Sequence, residues 1–398
     1  MTKPGEPLSR VTFQAGRRVS LQDEQLQALG LPAGEKDFWL VPAAEGYRLL
    51  PVRPDVKKIY LEVTTRCNYD CITCIRHVWR DELSHMPAGT FAAVERSLDG
   101  LPELECVHFG GFGEPFTHPA IFDMMAAVKK RGLKVEAITN GSLLTPAVAD
   151  RLIDLGVDML FVSLDAPQEE EYQHIRPGGQ LSGVLASMRD LLERRRQRGA
   201  RRPELGVEFV AMRRNYHQLP ELIKICHELR VQKVIVTNLL PYHPSMQDQI
   251  LYDMDDTGVP FGDRSPLAML MAQFPYMKLR TDRYCKFVED RALCINHRGL
   301  VSPCYALMHS YSCFVYGRQK QIFPYYLGDV REQDLARIWQ QAEYVNFRQA
   351  IRDFKFPSCT DCKYLDGCSM ADSNEMDCWG NSPSCAECLW SRQLIACP

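Results

Sequence analysis

The sequence has no long uncharged apolar run and no large excess of charge of either sign. None of its 398 residues belongs to a stretch of about 18 apolar residues, the length that a membrane-spanning helix needs. The first six residues, Met-Thr-Lys-Pro-Gly-Glu, do not resemble the start of a secretion signal. With 47 basic and 50 acidic residues the net charge is −3, which gives no reason to expect a nucleic-acid-binding or membrane-binding surface. These features predict a cytoplasmic protein.

One residue type is abundant. The chain has 16 cysteines, and a disulfide framework does not explain them because disulfides do not persist in a reducing compartment. Three lie within residues 67–74, two stand alone at Cys106 and Cys226, and eleven lie within residues 285–397. The grouped cysteines are spaced like metal ligands. Cys106 and Cys226 lie in apolar segments and are predicted to be thiols of the core.

The distribution of apolar residues, prolines and glycines divides the chain into four parts. Residues 1–54 contain short strand-like segments, one brief helical segment and a hairpin, which predict a small β-rich module similar to swapped-hairpin AbrB-like domains. Residues 55–240 alternate strands with helices. Residues 241–284 are rich in turn-forming residues and predict a connection with room for a short helix. Residues 285–398 are the cysteine-rich C-terminal domain.

The second part has the pattern of a parallel α/β sheet. Short β-branched runs alternate with longer helix-period segments, which predicts six βα units. A complete (β/α)8 barrel needs roughly 250 residues, so we expect a partial (β/α)6 TIM-like barrel or a doubly wound sheet. In either fold, ligands bind at the carboxyl ends of the strands. The predicted strands are 59–63, 106–109, 135–139, 159–164, 207–210 and 234–237.

The first of these strands leads directly into a group of three cysteines. Cys67, Cys71 and Cys74 are separated by three and two residues, so their thiolates can bind three corners of a [4Fe-4S] cluster. Because no fourth cysteine lies nearby, one iron would remain free to bind a small ligand, as a catalytic cluster requires. The alternative is a zinc site or three buried thiols, although zinc loops favour paired two-residue spacings.

This spacing resembles the C-x3-C-x2-C signature of the radical SAM superfamily, and segments at later strand ends extend the resemblance. Phe109-Gly-Gly-Phe-Gly-Glu-Pro115 is similar to the glycine-rich segment that contacts the methionine amino group. After strands three and four, Thr139-Asn140-Gly-Ser and Ser163-Leu-Asp165-Ala match family positions, the latter at the ribose-contacting place, where a hydroxyl and a carboxylate can bond a diol. Asn140 and Asp165 have turn capping as their alternative role. The resemblance implies that S-adenosylmethionine is contacted by Gly111, Gly113, Glu114, Asn140, Ser163, Asp165, Arg176 and Asn215.

One departure from the family pattern concerns the adenine. Many members carry an aromatic residue just before the third cysteine, whereas this chain has Thr73. Adenine stacking would then fall to another residue, such as Tyr69, Ile75 or Trp79.

The C-terminal cysteines resemble the SPASM extension, which holds two auxiliary [4Fe-4S] clusters. The matching parts are the Gly299-x4-Cys304 hairpin and the Cys359-x2-Cys362-x5-Cys368 spacing. A zinc ribbon is the alternative. The family pattern implies that the nearer cluster is held by Cys285, Cys294, Cys304 and Cys378, and that the outer one is held by Cys359, Cys362, Cys368 and one of Cys385, Cys388 and Cys397.

The cysteine count exceeds what this pattern requires. Eleven cysteines follow residue 284, whereas two auxiliary clusters need eight. Nine residues separate Cys368 from Cys378, where three are typical of the family. Cys313 is expected to be one surplus thiol, and two of the last three cysteines are the others.

Several segments, among them Asp377-Cys-Trp-Gly-Asn and Glu208-Phe-Val-Ala-Met212, resemble the radical SAM maturases associated with tungsten-dependent oxidoreductases. This resemblance implies an enzyme that reductively cleaves S-adenosylmethionine to a 5′-deoxyadenosyl radical for maturation of a tungsten pterin-type cofactor or its host oxidoreductase. Three [4Fe-4S] clusters and a low-potential electron donor such as ferredoxin or flavodoxin are implied with it. Radical modification of a peptide or protein, and a non-catalytic metal-binding assembly factor, are the alternatives. The sequence identifies no general acid or base.

Overall fold

The computed structural model describes residues 13–14, 18–29, 37–42, 47–51, 55–79, 81–254, 271–275 and 283–397. They form a four-stranded N-terminal sheet, a ten-stranded central sheet and a two-stranded hairpin. No helix in these ranges combines the length and the apolar character that crossing a membrane requires.

The N-terminal sheet is antiparallel, with its four short strands paired in sequence order. Val19, Leu21, Leu26 and Phe38 form a small core of their own. The turn of the predicted hairpin, Glu45-Gly46, lies outside the described residues, and the likeness to AbrB-like domains remains a prediction. The elements are β1 (Phe13–Gln14), β2 (Arg18–Ser20), α1 (Asp23–Ala28), β3 (Asp37–Pro42) and β4 (Tyr47–Pro51).

Six parallel strands form the centre of the large sheet, and each pairs with the next one along the chain. Most of their side chains are buried, as expected for a parallel sheet that helices cover on the outside. The predicted α/β architecture with six βα strands is therefore confirmed. The strands are β5 (Lys58–Leu61), β6 (Cys106–Phe109), β7 (Lys134–Thr139), β8 (Met159–Ser163), β9 (Glu204–Ala211) and β10 (Lys233–Asn238).

Helices connect these strands and bury their apolar faces against the sheet. Helix α4 shows why such segments begin where they do: Thr145 accepts a hydrogen bond from Val148 N, and Pro146 occupies the first helical position. Cys226 is fully buried in α7 and Cys106 is buried in β6, where the sequence placed two core thiols. The helices are α2 (Ala88–Leu98), α3 (Ile121–Lys129), α4 (Pro146–Asp154), α5 (Glu169–Ile175), α6 (Leu181–Gln197) and α7 (Leu219–Glu228).

Strands from outside the βα region extend the central sheet on both sides. Strand β11 (Ala272–Gln273) pairs with β10, and β12 (Ala292–Ile295) pairs in parallel with β5. Two further strands, β13 (Leu300–Ser302) and β16 (Gly328–Asp329), continue the sheet beyond β12. The cysteine-rich region thus shares a sheet with the barrel strands, which the sequence did not predict.

The rest of the C-terminal region packs beside this extension. Trp339 Nε1 donates a hydrogen bond of 2.7 Å to Asp55, which ties the region to the start of the barrel. After residue 352 the described chain has short 3₁₀ turns but no α-helix or β-strand. The remaining elements are α8 (Lys286–Glu289), β14 (Tyr311–Val315), β15 (Arg318–Ile322), α9 (Leu335–Gln340) and α10 (Ala342–Arg352).

Candidate active site

The three cysteines of the C-x3-C-x2-C motif lie in one loop that follows strand β5. Two backbone hydrogen bonds of 3.0 Å fix this loop, from Thr65 N to Ser84 O and from Ile72 N to Ile175 O. The motif ends in a short 3₁₀ turn, Ile75–Val78. The three cysteines are half-buried free thiols.

Hydrogen-bond donors surround the three sulfur atoms. Nearby N–H groups and positive charge favour the thiolate form of cysteine, and hydrogen bonds to sulfur tune the potential of an iron–sulfur cluster. The loop therefore fits a cluster bound by three cysteines. The donor and acceptor pairs are Arg76 Nε with Cys74 Sγ at 3.1 Å, Tyr69 N with Cys67 Sγ at 3.5 Å, Asn140 Nδ2 with Cys67 Sγ at 3.7 Å, and Arg176 Nη1 with Cys71 Sγ at 3.8 Å.

Burial opposes ionisation of the same thiols. It raises the pKa of Cys67, and it raises the pKa of Cys71 to about 11 although Arg176 opposes the shift. Iron binding must therefore displace these protons, which makes metal affinity dependent on pH.

The glycine-rich loop after β6 packs closely against the cysteine loop. Gly111 has φ of 120°, and a Cβ added there would lie 2.6 Å from Glu62 Cγ. A Cβ at Gly113 would lie 2.3 Å from the carbonyl oxygen of Thr64. Glycine is therefore required at both positions, because any side chain would push the two loops apart.

Glu114 ends this loop and is buried. Its Oε1 accepts hydrogen bonds from Thr139 Oγ1 at 2.8 Å and Phe116 N at 3.1 Å, and its Oε2 accepts one from Asn140 N at 2.7 Å. Burial raises the pKa of Glu114 to about 7, although these donors oppose the shift. The carboxyl group thus joins the glycine-rich loop to the end of β7 and keeps acceptor capacity towards the cavity.

Asp165 and Arg176 form a buried ion pair. Arg176 Nε and Nη2 lie 2.8 and 2.7 Å from Asp165 Oδ2, and Asp165 Oδ1 accepts from Val210 N at 2.8 Å. Both carboxylate oxygens of Asp165 are therefore engaged within the protein. The pair fixes the guanidinium beside Cys71.

Asn215 is fully buried and is also engaged within the protein. Its amide nitrogen donates to Asp165 O and Val210 O, each at 2.9 Å, and its oxygen accepts from Met212 N at 2.7 Å. Asn215 therefore supports the backbone next to Asp165. Its contact with S-adenosylmethionine remains a prediction, as does that of Asp165.

The side chains at the strand ends surround two adjoining cavities. An outer cavity of about 650 Å³ is lined by the three cysteines of the motif and by six of the eight predicted cofactor contacts, all except Asp165 and Asn215. An inner cavity of about 940 Å³ shares Thr73, Cys74, Phe112 and Glu208 with it, among other residues. A ligand in the outer cavity would therefore face one in the inner cavity.

Comparison with known proteins agrees with this geometry. A model of the radical SAM superfamily matches residues 61–224, and a model of the SPASM iron–sulfur cluster-binding domain matches residues 285–363. The tungsten-containing aldehyde ferredoxin oxidoreductase cofactor-modifying protein of Pyrococcus furiosus is 39% identical over 348 residues, which cover 86% of this chain and 97% of that protein. The chain belongs to the radical SAM superfamily. It is an enzyme of that superfamily with a SPASM domain, and it binds iron–sulfur clusters and S-adenosylmethionine.

Solved structures of radical SAM enzymes share its fold. SuiB of Streptococcus suis, bound to precursor peptide SuiA, is 17% identical with a TM-score of 0.57, covering 84% of this chain and 76% of that chain. Native anSMEcpe with bound AdoMet is 14% identical with a TM-score of 0.53, covering 85% of this chain and 95% of that chain. At these identities the likeness concerns the fold.

The three residues predicted as candidates for adenine stacking lie in different places in this radical SAM enzyme. Ile75 lines the inner cavity, whereas Tyr69 and Trp79 line neither cavity. Trp79 instead stacks on His309, with ring centroids 3.9 Å apart. The structure therefore does not bring an aromatic candidate to the position that Thr73 leaves open.

Sequence reasoning missed a buried ionic cluster between the barrel and the SPASM region. Glu62, directly after β5, is fully buried; its Oε1 accepts from Phe112 N at 3.1 Å, and its Oε2 lies 2.9 Å from His309 Nε2 and 3.5 Å from His297 Nδ1. His309 Nδ1 in turn lies 3.1 Å from Asp81. The sequence signal for this cluster is Glu62 itself, a charged residue inside the apolar run 59–63. A carboxylate is rarely buried without partners.

The charges of this cluster stabilise each other. Burial alone would raise the pKa of Glu62, but His309 and His297 lower it to about 2. Burial alone would lower the pKa of His309, but Glu62 and Asp81 raise it to about 9. Because Phe112 lines both cavities, the cluster ties the wall between them to the SPASM region.

Four cysteines of the C-terminal region interact electrostatically. The charges of Cys285, Cys304, Cys385 and Cys388 act on one another, and burial together with the charge of Cys388 raises the pKa of Cys285 to about 12. Three of the four line a further cavity of about 510 Å³ next to Cys313. Cys294 lies within electrostatic range of Cys285, Cys304 and Cys397.

A second group lies further along the chain. Cys359 is within electrostatic range of Cys368 and Cys378, and the exposed Cys362 ends the short 3₁₀ turn that begins at Cys359. Cys378, which the family pattern assigns to the nearer cluster, thus interacts electrostatically with Cys359. In the part of the chain that the structure describes, no three His, Cys, Asp or Glu residues form a site for a single metal ion.

Proposed function

We propose that this radical SAM enzyme generates a 5′-deoxyadenosyl radical that matures a tungsten pterin-type cofactor or the oxidoreductase that carries it. The observation that carries the proposal is one cavity that combines the three motif cysteines with six predicted S-adenosylmethionine contacts and opens into a second cavity. The relative from Pyrococcus furiosus, named as a cofactor-modifying protein, supports the tungsten assignment.

Cys67, Cys71 and Cys74 would hold the catalytic [4Fe-4S] cluster. When bound there, such a cluster supplies one electron for reductive cleavage of S-adenosylmethionine. Arg76, Arg176 and the other donors place positive charge and N–H groups around the three sulfurs. A low-potential donor such as ferredoxin or flavodoxin would provide the electron.

Two side chains, one basic and one acidic, would orient the methionine part of S-adenosylmethionine. Arg176 is held by Asp165, so its remaining capacity faces the cavity, where it suits a carboxylate. Glu114 lies within electrostatic range of Arg176 and suits an ammonium group. Asn140 and Ser163 add polar contacts at the ends of β7 and β8.

The inner cavity would hold the reacting part of the substrate. Its lining includes Ile75, Phe112, Leu240 and Trp390, which are apolar or aromatic. Such a lining excludes water and competing hydrogen donors, which a radical intermediate requires. Since Phe112 and Glu208 line both cavities, the two ligands would meet there.

The SPASM region would hold two auxiliary clusters, giving three clusters in all. We assign the nearer cluster to Cys285, Cys304, Cys385 and Cys388, because the charges of these four thiols act on one another. We assign the outer cluster to Cys359, Cys362, Cys368 and Cys378, because the charge of Cys378 acts on Cys359. Cys294, Cys313 and Cys397 are then surplus.

The proposal is tested by anaerobic reconstitution, followed by incubation with S-adenosylmethionine and dithionite. We expect about twelve irons per chain, four for each cluster, and formation of 5′-deoxyadenosine. Addition of a tungsten-containing aldehyde ferredoxin oxidoreductase should increase 5′-deoxyadenosine formation and change the mass of the released pterin cofactor.

Two results would contradict the proposal. Bound iron without any 5′-deoxyadenosine would leave a non-catalytic assembly factor. An increase with a peptide substrate, but none with the tungsten oxidoreductase, would favour peptide modification instead.

A further inference from the structure

A carboxylate with no partner lies where the two cavities meet. Glu208 is half-buried in β9, beside Ser163 of β8 and Ile235 of β10, and it lines both the outer and the inner cavity. No residue that the structure describes gives its carboxylate a hydrogen bond or an ion pair.

The other acidic groups of the site differ from Glu208 in this respect. Glu62, Glu114 and Asp165 each have at least two hydrogen-bond partners within the protein. Because the carboxylate of Glu208 lines both cavities and has no partner among the described residues, its acceptor capacity is available to a ligand. Burial and the charge of Asp165 raise the pKa of Glu208 to about 7, although Arg176 opposes the shift, in agreement with an unsatisfied group.

The surroundings of Glu208 in the inner cavity define the shape of a matching ligand. Aromatic side chains, Phe112, Tyr305 and Trp390, contribute to the walls, which suits a planar ring. His108 also lines this cavity; it is fully buried, and its Nε2 has no hydrogen-bond partner among the described residues. Burial lowers the pKa of His108 to about 4, so the ring is neutral near pH 7 and offers one further polar group.

A planar heterocycle with adjacent N–H donors fits these groups. A carboxylate pairs well with two parallel N–H bonds, as it does with the fork of an arginine. The 2-amino group and the neighbouring ring N–H of a pterin present such a pair on one edge.

We propose that Glu208 determines substrate specificity by accepting two hydrogen bonds from the aminopyrimidinone edge of a pterin in the inner cavity. This inference rests on the proposed function, because the pterin would be that of the tungsten cofactor. The ring would lie between the aromatic walls, with its edge at the junction where S-adenosylmethionine is held.

Binding of free pterin to the reconstituted enzyme tests the inference without turnover. Quenching of pterin fluorescence gives the dissociation constant, and lumazine, which has a carbonyl oxygen in place of the 2-amino group, is the matched ligand. We expect the wild type to prefer pterin, and Glu208→Gln to weaken pterin binding by about tenfold to hundredfold. Glu204→Gln is the control, since Glu204 lies on the same strand, pairs with Arg202 and lines neither cavity.

The affinity for S-adenosylmethionine, measured in parallel, separates this role from a contact with the cofactor. A loss of S-adenosylmethionine binding in Glu208→Gln, with pterin binding unchanged, overturns the inference. Equal binding of pterin and lumazine by the wild type overturns it too, and that measurement needs no variant. If pterin fails to bind while the tungsten oxidoreductase still stimulates 5′-deoxyadenosine formation, the inference fails but the proposed function stands.

Discussion

The two cysteine-bearing regions of this molecule position their thiols in opposite ways. In the barrel, Cys67, Cys71 and Cys74 lie in a single loop between a strand and a 3₁₀ turn. In the SPASM region, thiols at 285 and 304 interact electrostatically with a thiol at 385 from a distant part of the chain. Sequence spacing is therefore sufficient to recognise the first group, whereas the second is defined only by the fold.

The two regions also differ in what holds them in place. The barrel loop is anchored by a parallel sheet and by hydrogen bonds to neighbouring segments. After residue 352, the described chain contains only short 3₁₀ turns. Metal binding supplies folding free energy where regular structure is scarce. We therefore expect iron to contribute more to the stability of the SPASM region than to that of the barrel.

The largest expected effect comes from the barrel loop. Cys71→Ser removes one of three cluster ligands, so we expect at least a thousandfold loss of 5′-deoxyadenosine formation, a size typical of losing an essential catalytic group. Cys388→Ser should retain cleavage of S-adenosylmethionine in the absence of substrate, because the barrel loop is intact. Chromatographic assay of 5′-deoxyadenosine with dithionite measures both. Equal loss in both variants would mean that the two regions do not act separately.

The next largest effect tests which cysteines bind the same auxiliary cluster. Cys388→Ser and Cys378→Ser should each lower the iron content by about four of twelve atoms. Electron paramagnetic resonance of the reduced proteins should show the loss of a different auxiliary signal in each variant. Cys294→Ser, in a thiol outside both assigned groups, is the control and should keep all the iron. Loss of the same signal from Cys388→Ser and Cys378→Ser would contradict this assignment, whereas loss of a signal from Cys294→Ser would favour the pattern implied by the family resemblance.

The sequence predicted the fold and site most accurately where they are local. The six barrel strands and the cysteine loop follow from apolar runs and spacings within short segments. Pairing of β12 with β5 was not predicted, because nothing in either strand specifies a partner so distant along the chain. Asp165 was placed at the correct strand end, but its engagement with Arg176 and Val210 depends on tertiary packing. The sequence indicates Glu208 only as part of the segment 208–212, because its lack of partners is visible only in the structure.

The ionic cluster that joins the two regions should give a smaller, pH-dependent effect. The pKa of His309 is raised from 6.5 to about 9, so its stabilising contribution is complete below pH 6.5 and is lost as the pH rises through about 9. The pKa of Glu62 is lowered from 4.5 to about 2, so its contribution is present above pH 4.5 and is lost as the pH falls through about 2. We expect Glu62→Gln to lower the free energy of unfolding near pH 6.5 by about 1 to 3 kcal/mol.

Denaturant unfolding at several pH values measures this effect. The wild type should lose stability between pH 6.5 and about 9, and the variant should lose less over that interval. The affinity for S-adenosylmethionine should change little in Glu62→Gln, because the amide oxygen of glutamine can still accept the hydrogen bond from Phe112 N. Asp81→Asn is a control with a smaller expected effect, since Asp81 is more exposed than Glu62. An unchanged pH profile in Glu62→Gln would exclude the cluster as a link between the regions.

The smallest expected effect is on stability, and it distinguishes a core thiol from a metal-binding thiol. The test compares the alanine and serine variants at Cys226 with those at Cys388. Cys226 is fully buried in α7 with no assigned metal role, so Cys226→Ala should keep all iron and lower stability by about 1 kcal/mol. Cys226→Ser should be the more destabilising, because it buries a hydroxyl in an apolar position. At Cys388, alanine and serine should both lose iron, since neither supplies a thiolate. Iron analysis and denaturant unfolding of the four variants give the comparison. Loss of iron from either Cys226 variant would show that core and ligand thiols cannot be separated by their position in the fold.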